Sequence, residues 1–161
     1  MEPKGLIGDL ENRFPGEIVE SSRDGEDLVL VILPEALLRI MGSLKGPPYS
    51  YKLLLDLTCV DFRRDASIFE MVYHLYSLDT GRRVRIKVRL PADAPSLDSL
   101  ADLWRNANWL EREVYDMFGV VFRGHPDLKR ILMYDGFEGF PLRKDYPLRR
   151  RQPKAAKGNA P

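Results

Sequence analysis

Histidine and cysteine side chains are the usual protein ligands of zinc and iron–sulfur centres, and this chain has few of them. Its histidines are His74 and His125, and its single cysteine is Cys59. Two isolated histidines and one cysteine do not make up a tetrahedral metal site or a cysteine-held cluster. We therefore expect no metal ligands and no cofactor-binding residues in this chain. A lone cysteine also excludes a disulfide framework.

Paired carboxylates are the next groups that could do chemistry, as a general acid and base. Glu111 and Glu113 lie in a helical pattern, where residues two apart point in different directions and act poorly on one substrate. At about 100° per residue, Glu111 falls on the apolar stripe, Glu113 just outside it and Arg112 almost opposite. A buried carboxylate needs a cation or several donors. The cation could come from a partner protein or from the following loop, where the candidates are Arg123, Lys129 and Arg130. Alternatively, the end of the helix could fray and expose Glu111 to water.

Other candidate groups have ordinary interpretations. His74 lies on the mixed face of a strand, where a packed or surface histidine is the simpler reading, whereas His125 stands in a constrained Gly-His-Pro loop that favours a hydrogen-bonding role. Asp61 and Asp65 flank two arginines in a strand connection and are interpreted as part of a solvated turn. We find no nucleophile–base arrangement and expect no catalytic residue.

Charge is distributed unevenly along the chain. The net charge of the 161 residues is +1, but the residues from Pro141 onward carry seven basic side chains against Asp145, giving +6 and leaving −5 for the rest. A second basic feature is a strand with Arg83, Arg85, Lys87 and Arg89 on one face. This face and the tail could bind nucleic acid, but the strand has no interleaved aromatic side chains on which bases could stack. A solvated or protein-facing stripe is therefore favoured.

The elements that position these residues can be read from hydrophobic periodicity. The pattern predicts a short helix that stops at Pro15-Gly16, strands over 17–20 and 28–33 separated by a turn-rich stretch 21–27, and a helix from Pro34 that is broken by the stretch 42–48. Three further strands cover 51–60, 68–78 and 83–90, the last two joined by a hairpin with Gly81 at its turn. The inward-facing residues of these strands are expected to be Leu53, Leu55, Leu57 and Cys59, then Phe69, Met71, Tyr73 and Leu75, then Val84, Ile86, Val88 and Leu90.

A long amphipathic helix is predicted over 97–118, with Ser96 as its N-cap and Gly119 as its C-terminal cap. The elements together predict an α+β fold: a ferredoxin-like sandwich with a mostly antiparallel sheet of about five strands and helices on one face. Beyond Phe122 regular periods disappear. We expect a core domain over 1–122, an extended partner-docking segment over 123–148 and a basic flexible tail over 149–161. No apolar run approaches the roughly 20 residues that span a bilayer, and no signal peptide is expected.

The residues after position 110 resemble a known family signature. Glu-Arg-Glu-Val-Tyr-Asp-Met-Phe-Gly at 111–119, Phe-Arg-Gly-His-Pro-Asp-Leu-Lys-Arg-Ile-Leu at 122–132 and Gly-Phe-Glu-Gly-Phe-Pro-Leu-Arg-Lys-Asp-Tyr-Pro at 136–147 are similar to the C subunit of NADH–quinone oxidoreductase, which is the thirty-kilodalton subunit family of complex I. The match is dense over these residues. One departure is Phe140, because family members usually have His before Pro-Leu-Arg-Lys-Asp.

The resemblance implies a structural and assembly subunit of a membrane-bound NADH:quinone oxidoreductase, without redox groups of its own. FMN, iron–sulfur clusters, NADH and quinone would belong to the complex as a whole, which couples electron transfer to proton translocation. The implied partners are chiefly the hydrogenase-like large subunit, known as the D subunit, with the B and I subunits and the iron–sulfur arm nearby. No nucleic acid is implied, and the chain would be peripheral at the cytoplasmic face of the inner (plasma) membrane.

The resemblance also assigns the signature residues to partner docking. Arg130, Arg143 and Lys144 are expected to pair with partner carboxylates, and Glu111 and Glu113 to brace the junction between the helix and the tail. The other members of the expected docking set are Arg112, Tyr115, Asp116, Phe118, Gly119, Gly124, His125, Pro126, Pro141 and Asp145.

Two alternatives remain open at this point. In the first, the chain serves a related energy-converting hydrogenase or a quinone or methanophenazine reductase without an NADH module. The second and remoter alternative is an RNA-binding module that uses the basic strand face and tail.

Overall fold

The computed structural model describes residues 3–62, 67–149 and 151–152. Helix α1 (Pro3–Arg13) is followed by the antiparallel pair β1 (Ile18–Asp24) and β2 (Asp27–Ile32). The prediction that 21–27 is a turn-rich connection is wrong over most of its length, because β1 continues to Asp24 and the chain turns at Gly25 with φ +61°. Backbone pairing with β2 and the position of β1 at the sheet edge allow its polar side chains to remain exposed.

A short 3₁₀ turn (Pro34–Ala36) leads into α2 (Leu37–Lys45). The predicted break within 42–48 is found at Gly46 and not at the first glycine of that range, Gly42. Leu44 is fully buried, and burying it requires one more helical turn past the glycine. The helix then ends at Gly46, whose backbone N–H donates to the carbonyl of Gly42. Packing here outweighs the low helix propensity of glycine.

Strands β3 (Leu53–Asp61), β4 (Ile68–Ser77) and β5 (Arg82–Pro91) complete a five-stranded sheet in the order β1-β2-β5-β4-β3. The β2–β5 pair is parallel and the other three pairs are antiparallel. Gly81 closes the β4–β5 hairpin with φ +67°, as predicted.

The alternation predicted for β3 is only half right. A register shift between Leu54 and Asp56 places Leu54 inside and leaves Leu53 and Leu55 exposed, whereas Leu57 and Cys59 are buried as expected. Such a bulge adds one residue to the strand and reverses the faces on either side of it.

The predicted helix over 97–118 begins ten residues late. Ser96–Asp98 forms β6, which pairs in parallel with β7 (Val121–Arg123), and only Ala107–Phe118 is helical, as α3. Ser96 is therefore not a helix cap. The apolar spacing misleads because Leu100 and Trp104 are buried from consecutive turns that precede the helix.

One hydrophobic core joins the helices to a single face of the sheet. Leu30, Ile86, Tyr73 and Leu57 stand side by side across four strands, and all lie in the same cluster as residues of α1, α2 and α3. The α+β class and the mostly antiparallel five-stranded sheet with helices on one face are confirmed.

The other face of the sheet carries the basic residues of β5, and acidic residues lie among them. Arg89 Nη1 is 2.7 Å from Glu20 Oε1, Lys87 Nζ is 2.7 Å from Glu70 Oε1, and Arg85 Nη1 is 2.9 Å from Asp24 Oδ2. These pairs neutralise much of the basic stripe that the sequence displays.

Residues 124–149 contain no helix or strand, which agrees with the predicted loss of regular periods. They fold back along α3, with contacts from Asn108 to Phe118, and reach the end of β3 at Asp61. Most of the predicted basic tail, Arg150 and 153–161, lies outside the described residues, as do residues 63–66 with the predicted turn residue Asp65.

Candidate functional site

The carboxylate of Asp116, on the last turns of α3, organises the segment that follows the helix. Its Oδ2 accepts three consecutive backbone N–H groups, from Ile131 at 3.0 Å, Leu132 at 2.8 Å and Met133 at 2.9 Å. Asp116 is completely buried. Burial alone would raise the pKa of Asp116, but the three N–H groups and Arg130 outweigh it and hold the pKa below its ordinary value.

Arg130 fastens the same segment at two further points. Its Nη1 donates to Asp116 Oδ1 at 2.8 Å, and its Nη2 donates to the carbonyl of Gly139 at 2.9 Å. The guanidinium also lies over the rings of Phe137 and Phe140, at 5.7 and 5.1 Å. One side chain thus ties the helix to two separated parts of the C-terminal segment.

Arg143 makes a second set of contacts around Phe140. It donates to the carbonyls of Phe118 at 3.4 Å and Ala92 at 3.1 Å, and its guanidinium stands 5.6 Å from the Phe140 ring. Two guanidinium groups therefore lie over the ring of Phe140 within cation–π distance, because the face of an aromatic ring attracts cations. This contact gives a physical role to the residue that departs from the family pattern.

Gly119 allows Phe140 to approach the end of α3. Gly119 has φ +77°, as predicted for a C-terminal cap, and its N–H donates to the carbonyl of Tyr115. A Cβ atom at this position would lie 2.5 Å from Cε2 of Phe140. Tyr115 packs edge-on against the same ring at a centroid distance of 6.3 Å.

Glu111 is buried, but it does not meet the cation predicted for it. Its Oε1 accepts the N–H of Leu100 and its Oε2 accepts the hydroxyl of Ser99, both at 2.6 Å. Neither Arg130 nor Arg123 reaches it, because Arg130 pairs with Asp116 and Arg123 with Asp98 at 2.8 Å. Burial raises the pKa of Glu111 to about 7 against the opposing effect of these two donors. Glu111 therefore holds the turn before α3 and not the segment after it, and Glu113 is exposed.

Arg112 is buried, contrary to the predicted outward position. Its guanidinium stacks 4.9 Å from the ring of Trp109, and its Nε donates to the carbonyl of Lys129 at 3.1 Å. The C-terminal segment covers this side of α3, which a helix considered by itself would expose. Trp109 itself remains 63% exposed.

His125 fixes the Gly-His-Pro loop, as its constrained neighbours led us to expect. Its Nδ1 accepts the N–H of Asp127 at 3.0 Å, so the proton of the neutral ring lies on Nε2, which donates to the carbonyl of Asn108 at 3.1 Å. Gly124 is in the left-handed region with φ +78°. His74 is half-buried on the outer face of the sheet, where burial and then Arg85 lower its pKa.

Asp61 makes a contact with the C-terminal segment that the sequence interpretation missed. It is buried at the end of β3, and its Oδ2 accepts the backbone N–H of Lys144 at 2.7 Å. The solvated-turn interpretation of Asp61 is wrong. The period-two alternation of Leu57, Cys59 and Asp61 was the available signal, because it places the carboxylate on the inward face.

The signature residues thus divide into two groups. Arg130 and Arg143 bond within their own chain, whereas Lys144, Pro126 and Asp145 are exposed and Pro141 is partly buried. The partner contacts expected for Arg130, Arg143 and Lys144 stay predictions. The segment also exposes large apolar side chains, namely Leu132, Tyr134, Leu142 and Leu148.

The described residues show no group of three or more His, Cys, Asp or Glu side chains that could hold a metal ion. Burial raises the pKa of the Cys59 thiol to about 12, which keeps it protonated and unreactive near neutral pH. The hydrogen bonds of Asp116, Arg130 and Arg143 instead fix the shape of the surface that the C-terminal segment forms.

The family comparison agrees with this arrangement. Residues 30–152 match the family described as respiratory-chain NADH dehydrogenase, 30 kDa subunit. The C 2 subunit of the NADH-quinone oxidoreductase of Rhizobium etli is 47% identical in an alignment of 151 positions that covers 92% of this chain and 80% of that protein. A fused C/D subunit of the NADH-quinone oxidoreductase of Gluconacetobacter diazotrophicus is 42% identical in an alignment of 151 positions that covers 88% of this chain and 25% of the fusion.

Two solved structures have the same fold. A trypsin-resistant fragment (1-134) of Nqo5 has a TM-score of 0.68 at 31% identity and covers 80% of this chain and 100% of the fragment. A chain of a membrane-bound sulfane sulfur reductase, an archaeal respiratory membrane complex, has a TM-score of 0.73 at 27% identity and covers 90% of this chain and 85% of that one. By its sequence match and its fold, the chain belongs to the family of the 30 kDa subunit of respiratory-chain NADH dehydrogenase.

Proposed function

We propose that this chain is a non-redox structural subunit of a membrane-bound NADH:quinone oxidoreductase, where it docks to the hydrogenase-like large subunit. The observation that carries the proposal is the division of the C-terminal segment into an inner side held by Asp116, Arg130 and Arg143 and an outer side that exposes Leu132 and Leu142. In this role the chain carries no electrons itself. It supports electron transfer from NADH to quinone by offering the large subunit a surface of complementary shape and charge.

The outer side of the segment has the character of a protein interface. Leu132 and Leu142 are each 56% exposed, and Tyr134 is 38% exposed on the same stretch of chain. Neighbouring large apolar side chains on a surface mark interaction sites more often than isolated ones do. Lys144 and Arg149 add exposed basic groups beyond them, which favours a partner with an acidic rim.

The hydrogenase-like large subunit is the favoured partner because relatives exist in which the C and D subunits form one chain. In the fusion from Gluconacetobacter diazotrophicus, this chain matches one quarter of the length. A covalent link keeps two modules at a high effective concentration, which is compatible with a permanent contact between them. The B and I subunits and the iron–sulfur arm are proposed as further neighbours, and FMN, the clusters, NADH and quinone as groups held elsewhere in the complex.

We place the chain at the cytoplasmic face of the membrane, attached through its partners. In the parts of the chain that the structure describes, no helix has the length and apolar character of a membrane span. Attachment to the hydrogenase-like large subunit would explain how such a chain belongs to a membrane complex.

The proposal is tested by placing a charge on the outer side of the segment. Leu132→Asp combined with Leu142→Asp should abolish co-purification of the chain with the hydrogenase-like large subunit, because an unpaired carboxylate would be buried at the contact. Leu78→Asp is the matched control, since Leu78 is 64% exposed at the distant β4–β5 turn. Retention of the large subunit by the double variant at the wild-type level would overturn the proposal.

A related complex without an NADH module is the second candidate, and the similarity to the sulfane sulfur reductase chain favours it specifically. Mass spectrometry of the intact native complex separates the two. A flavin-containing NADH-oxidising subunit in that complex supports the first candidate, and an intact complex without one supports the second.

A further inference from the structure

We infer that Asp116 orders the C-terminal docking segment before any partner binds, so that the docking surface is already formed in the free chain. Asp116 is thus a positioning residue that acts on the partner through residues 131–133. The inference deepens the proposed docking function and rests on it. In this inference Asp116, Arg130 and Arg143 stabilise the chain's own fold. The exposed side chains of Leu132 and Leu142 are left to contact the partner.

The first support is the geometry around the carboxylate. Three successive N–H groups at 131–133 converge on one oxygen of Asp116, and the guanidinium of Arg130 meets the other. Successive backbone N–H groups that point at one anion form a nest, which requires a defined backbone conformation. Charge-assisted hydrogen bonds of this kind are about twice as strong as neutral ones.

The second support is that the anchors come from different parts of the fold. Asp116 belongs to α3, Asp61 to β3 and Ala92 to the residues after β5. They hold 131–133, Lys144 and Arg143 respectively. The segment is thus fixed at several places along its length by elements of the core, and the carbonyl of Met117 also accepts the N–H of Leu142 at 3.1 Å.

The third support is the position of the exposed apolar residues relative to the anchors. Leu132 donates its own backbone N–H to Asp116, and Leu142 donates its own to the Met117 carbonyl. The backbone of each residue is therefore fixed while its side chain is exposed. Ordering these side chains in advance removes conformational entropy that binding would otherwise have to remove.

The test is backbone amide hydrogen exchange in the isolated full-length chain. We expect the amides of Ile131, Leu132 and Met133 to exchange on the order of 100-fold more slowly than an unprotected chain, because exchange requires them to leave a buried carboxylate. This measurement needs no variant. Exchange of these amides at unprotected rates would overturn the inference, since the segment would then order only on its partner.

Variants identify the residue responsible. Asp116→Ala should remove the protection at 131–133 while the amides of β4 stay protected, and Asp116→Asn should restore part of it because an amide oxygen still accepts N–H groups. Glu113→Ala on the same helix is the control, as Glu113 is exposed, and should leave the exchange unchanged. Protection that persists in Asp116→Ala would overturn the role of Asp116.

Binding to the purified hydrogenase-like large subunit then separates this inference from the proposed function. If the free segment is pre-ordered, loss of order in Asp116→Ala should weaken the affinity by about the factor by which the ordered population falls. Loss of protection with unchanged affinity would leave the pre-ordering intact and overturn the docking role of the segment. Loss of both supports the two together.

Discussion

Two buried carboxylates on α3 show that burial alone does not determine the state of an acid. Asp116 has four donors, one of them a cation, and its pKa falls below the ordinary value. Glu111 has two neutral donors, and burial raises its pKa to about 7. The carboxylate that anchors the segment therefore remains ionised near neutral pH, while the one that holds the turn before α3 titrates there.

The opposite shifts give opposite effects of pH on stability. The folded chain binds a proton at Glu111 more tightly than the unfolded chain does, so this group stabilises the fold at low pH, and the contribution is lost as pH rises from about 4.5 to about 7. Asp116 stabilises the fold above its unfolded pKa, and that contribution is lost as pH falls through its lowered folded pKa.

Glu111→Gln should remove the first of these effects. The glutamine oxygen still accepts the Leu100 N–H and its amide donates to Ser99, so the turn is retained without a titrating group. Between pH 5 and pH 7.5, we expect the variant to gain about 2 kcal/mol of unfolding free energy relative to wild type, measured by urea titration. Glu113→Gln should show no such gain. A constant difference between Glu111→Gln and wild type at the two pH values would contradict the assignment.

At the scale of elements, hydrophobic periodicity predicts a strand or helix well where the core covers one face of it and solvent the other. Strand β5 alternates cleanly because the hydrophobic core covers one face and charged side chains occupy the other. The start of α3 could not be found in this way. The stretch before it buries Leu100 and Trp104 at helical spacing, while Glu111 and the β6–β7 pair stabilise a non-helical backbone.

The C-terminal segment shows why contacts with distant residues are the hardest to predict. The positions of Asp116, Arg130 and Arg143 in the family signature were identified from the sequence, but their bonding partners were not. Those partners are backbone groups, such as the carbonyls of Gly139 and Ala92, which carry no residue-specific signal. Arg112 was placed on the outer side of α3 for the same reason, because the chain that covers it is irregular.

The outer face of the sheet gives a prediction that bears on the nucleic-acid alternative. The cations of β5 pair with Glu20, Glu70 and Asp24, so the wild-type face offers little unpaired positive charge to a polyanion. Glu20→Gln with Glu70→Gln should unmask that charge and produce RNA binding at low salt. The slope of log affinity against log salt should steepen by about 2 relative to wild type.

Glu11→Gln with Glu113→Gln makes the same change in net charge away from β5 and is the matched control. We expect this control to bind RNA no more tightly than wild type in a filter-binding titration. Tight, strongly salt-dependent RNA binding by the wild-type chain itself would instead favour the nucleic-acid function.

At the scale of the whole molecule, charge is separated along the chain. The residues before Pro141 carry −5 and those after it +6, and Arg149 and Arg151 are exposed where the described segment ends. In the docking role proposed above, residues 123–148 would contact the partner over short distances, whereas a basic tail would act at about the Debye length, roughly 8 Å at physiological salt. The tail is therefore suited to steering the approach to an acidic partner and less to holding it.

Replacing Arg149, Arg150 and Arg151 with Gln should separate the tail's effect on the association rate from the segment's effect on the dissociation rate. We expect the association rate with the hydrogenase-like large subunit to fall about tenfold at low ionic strength and the difference to shrink at high salt, because long-range attraction is screened. The dissociation rate should stay within about a factor of two, since these arginines follow the contacts of Arg130 and Arg143 along the chain and are expected to act at longer range. Stopped-flow measurement at several salt concentrations checks both rates. A faster dissociation with an unchanged association rate would show that the arginines bind the partner directly, and the steering role would then be wrong.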